Sequence, residues 1–433
     1  MRADVGILGG GISGLSLASF LERDAEVLEA DARPGGLART FGRNGFLSDV
    51  GGHILFSKDQ AVLDVMVGAL GDNVELRRRN NRILYNGIYV KYPFENGLGA
   101  LPKDEAYDCV LSFVKNDAKP PPHRNFAEWM YFTLGRGITE RYLLPYNRKI
   151  WKMDPAEMGI EWVERVPRPP VEDVLKSALG IETEGYTHQL HFHYPKEGGI
   201  ESLARGFAAR VQGRQRLETG YRVERVRSTG RGWIVNDERE YRTLVSTLPI
   251  ATLFRALGDV PAEVMEAARS LRYNALKVVM LGIDRREGLD EMTAVYVPDP
   301  AISFHRVCFN NAFSPRMAPE GCASIQCEIT TNPGDGVFEA SDDDLCERVR
   351  RELVAIGILR AGDRVVERAV QREAYAYVVY DLDYARHVRT VRAYLRSRDL
   401  HAAGRFAEHT YVNMDACVRR AMDLARQLDE GAA

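Results

Sequence analysis

The chain has 433 residues, 45% hydrophobic and 27% charged, which is the balance of a globular protein too long for one ordinary core. Its 58 Lys and Arg against 61 Asp and Glu leave a formal net charge of −3, excluding a nucleic-acid or membrane-surface role driven by charge. No apolar run approaches membrane-spanning length, no charged-then-apolar leader precedes the first strand, and the six cysteines form no C-x-x-C pair. A cytoplasmic chain with reduced thiols in packing roles is expected.

Asp4-Val5-Gly6-Ile7-Leu8 reads as a short buried strand and Leu15 to Leu21 as a helix, with Gly9-Gly10-Gly11-Ile12-Ser13-Gly14 between them. That strand–turn–helix context gives a G-x-G-x-x-G pattern its meaning. Gly9 allows the tight turn, Gly11 lets the backbone approach a pyrophosphate, and Gly14 lets helix and strand pack closely. The helix start then offers unpaired N–H groups to phosphates. Glu29 closes a second strand, Glu26 to Glu29, where its carboxylate can accept from a ribose hydroxyl. A dinucleotide is expected there. A second glycine pair follows within Arg33-Pro34-Gly35-Gly36-Leu37-Ala38-Arg39-Thr40, and Phe46 to Asp49 reads as a strand running into Gly51-Gly52-His53.

From about residue 97 to 185 the pattern turns helical, at Ala106 to Val114 and Phe126 to Leu134, broken by Lys119-Pro120-Pro121-Pro122. The chain returns near Tyr194 to Gly199, with a helix expected from Ile200 to Val211. Strands are expected at Tyr221 to Val226, Gly232 to Val235 and Leu244 to Thr247. A second strand-rich stretch, about 275 to 375, includes Lys277 to Ile283, Ala294 to Val297 and Ala323 to Ile329. Gly404 to Leu428 reads as a turn feeding an amphipathic helix. His188, His191 and His193 put only the last two on one strand face with no cysteine nearby, so no metal site is expected. Asp342-Asp343-Asp344 reads as a solvated loop at a helix start, and Ser246-Thr247 as a strand end.

Taken together these segments resemble the amine-oxidase-like flavoproteins, and within them the UDP-galactopyranose mutase family, over nearly the whole chain. Gly35-Gly36 through Thr40 resembles the second glycine pair of these flavoproteins, and Asp49-Val50-Gly51-Gly52-His53 the mutase segment whose histidine lies against the flavin. Arg82 to Tyr85, followed by Tyr92-Pro93-Phe94-Glu95-Asn96, resembles the stretch lining the isoalloxazine. Leu144-Pro145-Tyr146-Asn147-Arg148-Lys149-Ile150-Trp151, with Glu164-Arg165-Val166, is similar to the helical lobe of the eukaryotic type. Arg405 to Asp415 is similar to the bacterial-type ending, while Tyr375 to Asp381 and Phe304-His305-Arg306 fit further mutase segments.

The resemblance implies an α/β chain: a Rossmann-like FAD-binding domain (1–96, 186–250 and 390–433), an inserted helical lobe (97–185) and an antiparallel-sheet substrate domain (251–389). It implies FAD, reduced in its active form, held by Gly9, Gly11, Ser13, Gly14, Glu29, Gly36, Leu37, Arg39, Gly52, His53, Arg82, Arg405, Asn413 and Met414. His53, Arg165 and Arg306 would be catalytic, and Tyr146, Asn147, Trp151, Tyr296, Tyr377 and Tyr411 would bind substrate. The implied reaction interconverts pyranose and furanose forms of a nucleotide hexose, with flavin N5 as nucleophile and no net redox. An arginine fork with neutral tyrosine hydroxyls suits a departing diphosphate. The same arginines also read as surface ion pairs and the tyrosines as half-buried packing. Phe313 stands where a further tyrosine is expected, Gln189 is the nearest match to a sugar-side asparagine, and Asn413 replaces a frequent aspartate. An FAD oxidoreductase acting on an amine or apolar molecule is the alternative, and it would want an aromatic cage. The expected partners are a nucleotide sugar and a reductant, NAD(P)H or a flavin reductase, with no nucleic acid and no membrane, in a monomer or homodimer.

Overall fold

The computed structural model describes residues 3–118, 120–163, 168–185 and 190–431. The strand Val5–Leu8 is fully buried, as a small apolar run with parallel neighbours on both sides must be. It lies at the middle of a five-stranded sheet ordered Leu400–Ala402, Thr243–Ser246, Val5–Leu8, Ala25–Leu28, Arg216–Glu218, with every pairing parallel. Helices Ile12–Phe20, Gln60–Leu70, Glu201–Gln212 and Met414–Glu430 pack their apolar stripes together on one side. A three-stranded meander (Val226–Ser228, Trp233–Val235, Arg239–Tyr241) and helices Ile250–Ala256, Ala262–Ser270 and Tyr384–Ser397 close the other. The result is a Rossmann-like layer arrangement assembled from both ends of the chain.

A seven-stranded sheet forms the second half: Val365–Val379, Arg272–Ile283, Ala323–Thr331, Arg306–Phe309, Ala294–Tyr296, Asn81–Tyr85, Ile88–Lys91. All pairings are antiparallel except Ala294–Tyr296 with Asn81–Tyr85. Because strand side chains alternate, this sheet has two unlike faces. Val279, Leu281, Val307, Ile325, Cys327 and Ile329 pack against helix Asp342–Ala355. Ser324, Gln326, Glu328 and Thr330 point the other way and are also buried. Over part of that polar face sits the helical lobe, whose Phe126, Trp129, Leu144 and Trp151 pack with Leu276, Val278 and Tyr377 of the sheet.

The helical lobe carries Lys103–Val114, Phe126–Ile138, Leu144–Trp151 and Val171–Ala178. Asn125 caps the second of these by accepting from the Glu128 N–H at 2.9 Å. Two local readings change. The strand expected at Tyr221 to Val226 begins only at Val226 and runs to Ser228. Before it, the Asn236 side chain does what a neighbouring strand would do, accepting from the Glu224 and Arg225 N–H groups and donating to the Arg222 carbonyl. The hairpin 81–91, grouped by sequence with the nucleotide-binding segment, is hydrogen-bonded to Ala294–Tyr296 in the antiparallel sheet. Ser341 caps helix Asp342–Ala355, with the three aspartates in its first turn, where they oppose the helix dipole favourably. Among the described residues no helix is long and apolar enough to cross a membrane.

Candidate active site

The first glycines form a cradle from backbone alone. Gly9 has φ +103, and a side chain on Gly14 would place its Cβ 2.0 Å from the Gly9 carbonyl oxygen. Gly35 donates to the Gly10 carbonyl at 2.8 Å and pairs with Gly11, so the second glycine pair closes directly over the first turn. Around Gly11 a Cβ would meet only the Gly36 Cα, at 3.8 Å. Helix Ile12–Phe20 begins with no side-chain cap and no acid in its first turn, leaving its N–H groups open. Glu29 sits just past the second strand, accepting from the Gly10 N–H at 2.7 Å and the Asp31 N–H at 2.8 Å. Its remaining lone pairs are free for a hydroxyl.

Beside the cradle lies a cavity of about 380 Å³, lined by Leu37, Gly51, Gly52, His53, Arg405, Asn413 and Met414 on the nucleotide-binding side. Helix Met414–Glu430 starts there at Asn413, again without a side-chain cap. The opposite wall is the polar face of the antiparallel sheet. Tyr296, Arg306 and Glu328 are register neighbours on three adjacent strands. Glu328, fully buried, accepts from Arg306 Nε at 2.8 Å and Nη2 at 2.6 Å, and from the Gly52 N–H at 2.9 Å. Tyr377 reaches Glu328 and His305 at 3.4 Å. Burial alone would raise the Glu328 pKa, but Arg306 and His305 outweigh it and hold the carboxyl well below its usual range. Arg306 stays charged, its Nη1 left outside that bidentate pair.

Across the cavity, Arg405 donates to the Val412 carbonyl at 2.8 Å and stacks its guanidinium 4.8 Å from the Tyr411 ring centre. Tyr411 meets Trp151 edge-on at 5.8 Å. His53 Nδ1 lies 3.1 Å from the Gly51 carbonyl. Burial first, then Arg405, lowers the His53 pKa to about 4, although Glu328 pulls the other way. His53 is therefore neutral at ordinary pH. With Nδ1–H donating to Gly51, its Nε2 is an acceptor.

The sequence matches the flavin containing amine oxidoreductase family over residues 12–428. The chain belongs to that family. It is 23% identical to protoporphyrinogen oxidase 1, chloroplastic, of Spinacia oleracea, over 81% of this chain and 70% of that protein. Its fold matches a reduced UDP-galactopyranose mutase with TM-score 0.90 at 23% identity, covering 100% of this chain and 95% of the other. A candidate protoporphyrinogen oxidase from Exiguobacterium sp. 255-15 matches with TM-score 0.79 at 17% identity, covering 100% and 99%.

Membership makes this a flavin-dependent enzyme, and the residues present fit FAD. An uncapped helix start and a side-chain-free glycine turn suit a pyrophosphate, and Glu29 suits a ribose. Ser13 lies under Gly404, where a Cβ would come 2.5 Å from its Oγ, so the two chain ends meet at the cradle.

The expected site residues do not all converge. His53, Tyr146, Asn147, Trp151, Tyr296, Arg306, Tyr377, Tyr411, Leu37, Gly52, Arg405, Asn413 and Met414 line the cavity. Asn147 has its amide committed, donating to the Leu143 carbonyl and accepting from the Trp151 indole N–H, both at 2.8 Å, so it orients Trp151. Arg39 binds the Gly36 carbonyl at 2.8 Å and Asp31 at 2.7 Å, bracing the glycine loop. Arg82 lines a neighbouring cleft with Arg78, Lys91 and Glu182. Phe313 lines the cavity and packs on Phe192 and Tyr194. Arg165 and Gln189, like His188, lie outside the described residues. Arg79, from the run Arg77-Arg78-Arg79 that the sequence offers for an anion pocket, lines the cavity, whereas sequence reasoning gave no role to Glu328 or His305. For Glu328 the available signal was alternation: Ser324, Gln326, Glu328 and Thr330 interleave with apolar residues on a strand.

Proposed function

We propose that this enzyme is a nucleotide-sugar mutase, interconverting pyranose and furanose forms of a nucleoside-diphosphate hexose without net redox. One observation carries the reading: Arg306, fixed by a fully buried Glu328, shares a cavity wall with Tyr296, Tyr377 and, across from it, Tyr411. A cation fixed in place among neutral hydroxyls, with Arg405 and Arg79 also on the cavity wall, matches the spread charge of a departing diphosphate. The fold match to a reduced UDP-galactopyranose mutase over nearly both chains supports it.

Reduced flavin, when bound, supplies the nucleophile for the anomeric carbon. Arg306 stabilises the charge that develops on the diphosphate, and Tyr377 and Tyr411 donate without adding a second repelling charge. Glu328 holds Arg306 and the Gly52 backbone together, so the anion site and the His53 turn keep one relative position. Neutral His53 offers Nε2 to hold a proton beside the Gly51–Gly52 turn. Trp151, kept in place by Asn147, helps exclude water. The nucleotide sugar and a reductant, NAD(P)H or a flavin reductase, are part of this proposal.

A second reading has its own support. Phe126, Trp129, Trp151 and Trp162 make one wall aromatic, as an oxidase of an apolar molecule or amine would require, and the curated relative is an oxidase. The deciding experiment reduces the purified flavoprotein and incubates it with a panel of nucleotide pyranoses, with products followed by NMR. Furanose formation at a constant redox state is expected. Steady oxygen consumption with hydrogen peroxide, and no ring contraction of any sugar, overturns the mutase in favour of the oxidase.

A further inference from the structure

The charges around the cavity are unevenly placed. Arg306 and Arg405 gather near the Gly51–Gly52 turn and Arg79 lies over the Tyr92 ring, whereas among the described residues a single carboxylate lines the cavity, that of Glu95. Among the described residues its only hydrogen bond is to its own backbone N–H, and no arginine or lysine bears on it. Burial accordingly pushes it up to about 7. A carboxylate that serves as counter-ion to Arg306 would be held down as Glu328 is, so Glu95 stands apart from the anion site.

The turn that carries Glu95 is firmly held. Phe94 before it is fully buried and stacks on Tyr142 at 5.3 Å, and Asn96 after it donates to Thr183. Flat rings continue along the wall: Tyr142 stacks on Tyr146 at 5.4 Å, and Tyr92 on Tyr296 at 4.6 Å. Lys91, the nearest lysine in sequence, is occupied by Glu184 and the Thr183 carbonyl. Glu95 is half-buried at the cavity wall, so a flat ligand filling this aromatic-walled space would strip water from its carboxyl and must bring N–H donors, because leaving that acceptor unpaired is costly.

We propose that Glu95 reads the nucleobase of the substrate and selects guanine, whose ring N–H and adjacent amino group offer two parallel donors to the two carboxylate oxygens. This inference rests on the nucleotide-sugar reading above. Two N–H donors from a ligand favour the ionised carboxyl over the protonated one, and an ionised carboxyl only accepts. Uracil would place a carbonyl on each side of its one N–H, facing oxygen with oxygen. Adenine and cytosine each pair one amino donor with a ring acceptor. Guanine alone among these bases matches both oxygens, as a bidentate pair. Discrimination follows because a mismatched base leaves the carboxylate partly unpaired.

The test titrates the flavin-loaded protein with GDP, UDP, CDP and ADP by calorimetry, then repeats the series with Glu95→Gln and Glu95→Ala, bound flavin per chain serving as the folding control. GDP is expected to bind at least about tenfold tighter than UDP. Glu95→Gln, which carries one donor and one acceptor, should weaken GDP and strengthen UDP. That gain of binding cannot arise from misfolding. Equal or tighter binding of UDP by the parent protein, or a uniform loss for all four ligands in both variants, overturns the proposal. If nucleotides bind and furanose forms but the uridine series is preferred, only the base assignment falls. If no nucleotide binds and no sugar is contracted, the mutase reading falls with it.

Discussion

The glycine cradle and the polar face of the antiparallel sheet meet at one cavity but are built by opposite means. The cradle is backbone: Gly9, Gly11, Gly14, Gly35 and Gly36 contribute the absence of side chains, and most of it lies within forty residues of sequence. The sheet face is side chain: Tyr296, Arg306, Glu328 and Tyr377 come from four strands and meet only through register. A site made of missing atoms tolerates almost no added ones. A site made of charge tolerates changes of shape better than changes of partner.

That contrast is broken most directly at Gly14. With a Cβ 2.0 Å from the Gly9 oxygen, Gly14→Ala must drive helix Ile12–Phe20 away from the turn. The expected outcome is protein purified without flavin, read from the visible absorbance per chain, together with a large fall in melting temperature. A yellow, stable Gly14→Ala protein would mean that the turn does not work by close approach.

On the sheet side, Glu328→Gln leaves Arg306 without its counter-charge in a buried setting and is expected to cost about 3 kcal/mol in a denaturant titration. The folded pKa of Glu328 lies below its ordinary value of 4.5, so its stabilisation is fully present above pH 4.5 and is lost as pH falls below it. The variant should therefore show a flatter acid limb of stability. Arg306→Lys keeps the charge but not the fork. Turnover is expected to fall about a hundredfold, a loss of ~2.7 kcal/mol, with flavin content unchanged. Loss of flavin in this variant would assign Arg306 to the cradle instead of the sheet.

The two regions also differ in how far the sequence reveals them. Gly9 to Gly14 and Glu29 are legible because a nucleotide turn is local, with each residue's role following from its distance to the next. Arg306 and Tyr377 are legible only through family resemblance, since nothing in their neighbourhoods names a partner. Glu328 escaped notice because a glutamate within Ala323 to Thr331 looks like the solvent side of a strand, until both faces prove covered. Asn147 was readable as a residue type but not as a role: its amide is consumed within its own helix and by Trp151.

Asn147 gives the next, smaller test. Asn147→Ala removes the acceptor of a buried indole N–H and should cost about 1–2 kcal/mol of stability. If Asn147 acts through Trp151, kcat falls with little change in flavin content, and Trp151→Phe in the same background adds little more. Fully additive losses would return Asn147 to direct contact with the substrate.

The smallest effect lies where the two regions touch. His53 follows the glycine pair, yet its neighbours are Arg405 from the C-terminal segment and Glu328 from the sheet, and they act on it with opposite sign. With a folded pKa of about 4 against an ordinary 6.5, the neutral ring favours the folded state. That contribution is whole above pH 6.5 and declines as pH falls toward 4. An NMR titration of the His53 ring should thus be silent through 6.5 and move near 4. Arg405→Gln should raise that midpoint, because a repelling cation is gone. Glu328→Gln should lower it, because the compensating anion is gone and Arg306 remains. An unmoved midpoint in both variants would show that burial alone sets His53, and that these charges do not reach it.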